Sequence, residues 1–180
     1  MGGRDKAALV LDGRTLAGRA ADRLAGVCAR VVVADRGRGA VPGVPSVADG
    51  PGRGPAAGIL GAAREATGGP LLVLACDLPG VPAELLAALA GRARRGPDLV
   101  LPRWRRGVEP LVAWYGPGAL AALAVQVAVG EYSLGRLVAG GGLAVDWLEG
   151  EELAGFGEPE AVFYNVNRPE DLDLLIHCRG

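Results

Sequence analysis

Five consecutive apolar residues, Leu71-Leu72-Val73-Leu74-Ala75, stop abruptly at Cys76-Asp77-Leu78-Pro79. A strand with no polar alternation has no solvated face, so it belongs in the middle of a parallel sheet with helices packed on both sides. That one run calls for an α/β layering, and it places Asp77 where ligands collect in such sheets, just past the carboxyl end of a strand.

The rest of the chain fits that frame. Half of the 180 residues are hydrophobic and only 4% are aromatic, a balance carried by Ala, Val and Leu that suits short strands under Ala-rich helices. We read residues 1–180 as a single domain. The formal net charge is -1 with no basic block, which removes the electrostatic footprint of a nucleic-acid binder. No apolar run reaches the ~18 residues that a membrane helix needs. Cys28, Cys76 and Cys178 are odd in number and lack CxxC spacing, which points to neither a disulfide framework nor structural zinc, and to a reducing, cytoplasmic setting.

Along the chain, Leu16 to Cys28 carries apolar residues at helical spacing, and Val31-Val32-Val33 reads as a short strand. A Gly-, Pro- and Arg-rich loop from Asp35 to Pro45 leads to an edge strand near Val47, then a helix from Gly54 to about Thr67. After the Leu71–Ala75 strand come a helix from Pro82 to Arg95, strands at Leu99–Leu101 and Leu111–Tyr115, and helices at Ala119–Val129 and Ser133–Ala139. A strand at Leu143–Trp147 and a last helix from Pro169 to Cys178 complete the pattern.

Chemistry can be assigned to few positions. Lys6 is the sole lysine, against eighteen arginines, and it follows Gly2-Gly3. Glycines let backbone amides approach a phosphate, and a compact ammonium supplies a point charge to it, although a lone lysine near a terminus can also be chance. Asp77 is placed to bind a divalent cation that bridges phosphates, and Asp49 ends the Val47 strand in the same way; a turn-forming aspartate is the alternative for each. His177, the only histidine, sits in a final helical turn where the helix dipole explains it. Arg103, Arg105 and Arg106 form either a solvated turn or an anion-facing surface beside Glu109.

Taken together, Gly2-Gly3-Arg4-Asp5-Lys6-Ala7, Asp49 to Gly58, Cys76-Asp77-Leu78-Pro79, Glu109-Pro110-Leu111 and Asn165-Val166-Asn167-Arg168-Pro169-Glu170-Asp171-Leu172 resemble the molybdenum cofactor guanylyltransferase (MobA) family of the nucleotidyltransferase superfamily. The resemblance implies a three-layer αβα, Rossmann-like fold with a mostly parallel sheet. It also implies transfer of GMP from GTP to molybdopterin with release of pyrophosphate, and delivery of the product to molybdoenzymes. By position, Gly2, Gly3 and Lys6 would meet the nucleotide phosphates, Asp49 the nucleoside, and Asp77 a Mg2+ ion. Asn165 and Asn167 would line the pterin pocket. Cytidylyl transfer, or nucleotidyl transfer to another small phosphate, keeps the fold and changes the substrates. The family pattern also has a strand and a Leu-Ala-Gly-Gly-x-x-x-Arg loop ahead of Met-Gly-Gly. The 180 residues are therefore expected to lack the first strand of the sheet, which could leave a silent nucleotide- or partner-binding module. Arg168 stands where the family has threonine, a weaker start for the helix that follows.

Overall fold

Thr15 shows how the sequence writes its first helix. In the computed structural model, which describes residues 6–168, 170 and 171, the Thr15 hydroxyl accepts a hydrogen bond from the Gly18 amide at 3.1 Å and caps α1 (Leu16–Ala25). Such a cap contributes about 1 kcal/mol. Ahead of it, a 3-10 turn (Lys6–Ala8) leads into a small antiparallel hairpin of β1 (Val10–Leu11) and β2 (Arg14–Thr15).

Next come β3 (Val33–Ala34) and β4 (Ser46–Val47), which pair in parallel, and α2 (Gly54–Glu65) with a proline in its first turn. Asp35 organises the loop between the two strands, accepting from the amides of Arg38 and Ala40 and from the Ser46 hydroxyl. Burial raises its pKa, but these bonds outweigh burial and hold the carboxyl below its ordinary value. Gly61 of α2 lies so close to the loop after β4 that a Cβ there would stand 2.2 Å from the Ala48 carbonyl oxygen.

The main sheet follows from β5 (Leu71–Leu74), α3 (Ala83–Arg92), β6 (Leu99–Trp104), β7 (Gly107–Val108), β8 (Val112–Tyr115), α4 (Pro117–Ala128), α5 (Leu134–Ala139) and β9 (Val145–Leu148). Two short helices, α6 (Gly150–Ala154) and α7 (Pro159–Val162), close the described part. The last expected helix, with His177 and Cys178, lies outside the described residues except for Glu170 and Asp171.

Strand order in the sheet is β5-β8-β6-β9, with β7 folded back on the end of β6. β5, β6 and β9 share one direction, and β8 runs against them. Alternate residues of β6 and β8 face opposite layers: Leu99, Leu101, Ala113 and Tyr115 pack with α2, α4 and α5, whereas Val100 and Val112 pack with α3 and the α6–α7 region. This is the expected αβα layering. Each fully buried leucine of this core contributes about 1.5–3 kcal/mol by leaving water.

β5 departs from its expected surroundings. Its unbroken apolar run predicts a covered central strand, yet among the described residues it pairs only with β8, and all four of its residues remain partly exposed while Leu99–Leu101 and Val112–Ala113 are fully buried. The reason lies beside it. Between β5 and β3 no strand is present among the described residues, and an apolar cleft of about 590 Å³ occupies that position.

Candidate functional site

At the carboxyl end of β5 three of the expected residues meet. Lys6 Nζ lies 3.8 Å from Asp77 Oδ2 and donates to Asn167 Oδ1. Asp77 is the more enclosed, its side chain 22% exposed against 46% for Lys6. Its backbone is fixed too, because the Val166 amide donates to the Asp77 carbonyl at 2.8 Å. Val166 is fully buried against Leu11 and Leu16, while Asn165 and Asn167 on either side of it are exposed.

Two local devices hold this segment. Gly80 approaches α7 so closely that a Cβ would come 2.2 Å from the Ala161 oxygen and 2.8 Å from the Val162 oxygen. Gly80→Ala is therefore expected to push residues 161–167 away from the end of β5 and destabilise the fold by about 1–3 kcal/mol, as overpacking does. Urea unfolding checks this; an unchanged midpoint would show that the contact yields freely. On the other side of Asn167, Asp171 Oδ2 accepts from the amides of Asn167 at 2.7 Å and Arg168 at 2.8 Å. This carboxylate supplies the cap that Arg168 itself lacks, the reciprocal half of a capping box.

Because β8 is reversed, its amino-terminal loop also reaches this end of the sheet. Leu74 pairs with Val112, and the Ala75 amide donates to the Leu111 carbonyl. Glu109, just ahead, is half-buried and accepts a 3.0 Å bond from the Trp104 indole. Burial pushes its carboxyl pKa up, and the indole bond only partly offsets that.

Asp49 stands apart from this cluster. It follows β4, and its carboxylate pairs with Arg36 Nε at 3.1 Å. Gly2 and Gly3 lie outside the described residues. The arginine loop is the turn of the β6–β7 hairpin, and its cations are engaged within the fold: Arg103 with Glu149 and the Trp147 ring, Arg105 with Glu160, and Arg106 over Trp104. It serves as a brace. Gly80, the Trp104–Glu109 bond and the Asp171 cap escaped sequence reasoning. Only the last had a usable signal, an acidic residue three positions past the helix start.

No group of three or more His, Cys, Asp or Glu side chains able to hold a metal occurs among the described residues. The donor set at Asp77 is one carboxylate. That fits Mg2+, which dehydrates reluctantly and is commonly held by one or two carboxylates together with substrate phosphates.

The sequence profile of the MobA-like NTP transferase domain matches residues 1–144. The chain belongs to this family. A probable molybdenum cofactor guanylyltransferase of Opitutus terrae is 35% identical over 181 aligned positions, covering 95% of this chain and 86% of that protein. Another, from Pelotomaculum thermopropionicum, is 31% identical over 127; the match spans 67% of this chain and 58% of the relative's length. Among solved structures, molybdopterin-guanine dinucleotide biosynthesis protein A of Archaeoglobus fulgidus superposes with a TM-score of 0.78 at 26% identity, covering 94% of this chain and 88% of that one. The fold is therefore the nucleotidyltransferase type within the Rossmann-like class, and the chain is an enzyme of that kind. No helix among the described residues is long and apolar enough to cross a membrane.

Proposed function

We propose that this chain transfers GMP from GTP to molybdopterin, forming molybdopterin guanine dinucleotide and releasing pyrophosphate. The observation that carries the reading is the convergence of Lys6, Asp77 and Asn167 at the carboxyl end of β5, from positions far apart in sequence.

In this reaction an oxygen of the acceptor phosphate attacks the α-phosphorus of GTP, and the bond to the pyrophosphate oxygen breaks. The protein makes no covalent intermediate; it aligns the two phosphates and stabilises charge that builds on the leaving group. Lys6, on its 3-10 turn, places its ammonium against the nucleotide phosphates, with Gly2 and Gly3 ahead of it to admit their oxygens. Asp77 would hold Mg2+, which when bound would supply charge screening to the phosphate oxygens. Asp49, fixed by Arg36, faces the nucleoside. Asn165 and Asn167, the exposed residues flanking buried Val166, present amide donors and acceptors to the pterin. Molybdoenzymes that take up the dinucleotide are the partners this product implies.

The test is to incubate the protein with Mg2+, molybdopterin and GTP or CTP in turn and to measure pyrophosphate release. Release with GTP and not CTP supports guanylyl transfer. Faster release with CTP overturns it.

A further inference from the structure

Glu109 stands at the reaction end of the sheet with no part in the chemistry so far assigned. We propose that it is a specificity-determining residue, whose carboxylate takes the two adjacent N–H donors on the edge of a 2-amino-4-oxo pyrimidine ring, that of the pterin in the acceptor. This rests on the guanylyl-transfer reading for the identity of the acceptor.

The segment that carries it is pinned at three points. The Glu109 amide donates to the Pro102 carbonyl at 3.1 Å, its carbonyl accepts from the Val112 amide at 3.0 Å, and the hydroxyl of fully buried Tyr115 donates to the Pro110 carbonyl at 2.7 Å. The carboxyl is oriented as well, because the Trp104 indole holds Oε1 at 3.0 Å. A carboxylate has room for about four hydrogen bonds, and among the described residues this one receives only the indole's, which leaves Oε2 open. That oxygen is not sealed in, since Arg19 Nε alone among the described side-chain polar atoms is buried without a partner.

Three arginines stand in the adjoining hairpin, and none neutralises it. Arg103 pairs with Glu149, Arg105 with Glu160, and Arg106 lies over the Trp104 ring. Desolvation without a cation disfavours the charged form of Glu109 and raises its pKa. The indole bond does not require that charge, because a neutral amide oxygen accepts it equally well. A ligand edge with two adjacent N–H donors supplies what the half-buried carboxylate lacks.

Guanine and pterin both carry such an edge, an amino group beside a ring N–H. Placement selects the pterin. Trp104 packs on Phe163 with ring centroids 5.6 Å apart, and Phe163 stands two residues before Asn165. The strand that follows Glu109, β8, pairs with one edge of β5, whereas β3 lines the far wall of the cleft and leads through β4 to Asp49. The carboxylate therefore stands on the side of the asparagines, away from the side assigned to the nucleoside.

The test measures binding to the parent and to Glu109→Gln, which keeps the acceptor for the indole and removes the charge. One arm compares 6-hydroxymethylpterin with 6-hydroxymethyllumazine, which has a carbonyl in place of the 2-amino group, by ligand fluorescence. The other compares GTP with ITP, which lacks the 2-amino group of guanine. The parent is expected to prefer the pterin by about 10-fold or more, and Glu109→Gln to bring that preference within about twofold, with the GTP-over-ITP ratio and the unfolding midpoint unchanged. A parent without preference for the pterin overturns the proposal. So does loss of the GTP-over-ITP ratio in Glu109→Gln, which would assign the carboxylate to guanine, and so does a lost pterin preference accompanied by a lowered midpoint, which would make Glu109 structural. Pyrophosphate release is not read in these assays, so the role of Glu109 and the guanylyl reading fail separately.

Discussion

Asp77→Asn is expected to lower turnover by about 100- to 1000-fold or more with little change in stability, the scale on which a single charge-stabilising group acts in a preorganised site. The substitution keeps the side chain's size and removes only its charge. The backbone bond that ties Asp77 to Val166 survives, because it uses the main-chain carbonyl. The loss of the 3.8 Å pairing with Lys6, between two partly exposed groups, costs at most about 1 kcal/mol. The informative experiment measures rate against Mg2+ concentration together with the unfolding midpoint. A variant that folds normally and turns over within about threefold of the parent would remove Asp77 from the mechanism.

Lys6→Met is expected to have an effect of similar size, about 100-fold or more in kcat/KM for the nucleotide, because the group lost is the positive charge that faces the phosphates. Lys6→Arg separates charge from shape. A guanidinium fork on a 3-10 turn cannot bring one compact donor to the place of the ammonium, so arginine should recover only a small part of the rate. Full recovery by arginine would mean that Lys6 provides long-range field alone. Loss of stability in both variants, with rate per folded molecule unchanged, would make Lys6 a structural tie to Asn167.

The elements that were legible in the sequence are those whose local chemistry specifies them. The apolar runs at Leu71 and Leu99 and the helices read from Leu16, Gly54, Pro82, Ala119 and Ser133 all lie where the pattern puts them, within a few residues. The reversal of β8 was not legible, because Val112–Tyr115 carries no residue that encodes direction. α6 and α7 were missed because each is about one turn long, too short for a period to show. At the site, Lys6 and Asp77 stand out as residue types in suggestive places. Their meeting with Asn167, from the far end of the chain, depends on Gly80 and on the burial of Val166. Both are packing facts that no local pattern announces.

The placement of β8 has a consequence for how the molecule assembles. β8 is made after β5 and β6, yet it stands between them, and these two strands exchange no bonds with each other. The sheet cannot zip up in the order of synthesis. A nascent chain that ends before Val112 holds β5 and most of β6 without β8, β6 being paired only at its end with β7; once β8 emerges, its pairing with β6 closes the shorter loop and the closure onto β5 the longer one. The carboxylate at the end of β5 thus gains its fixed surroundings late. A slowed or interrupted synthesis just upstream of β8 would leave the most aggregation-prone form of the chain.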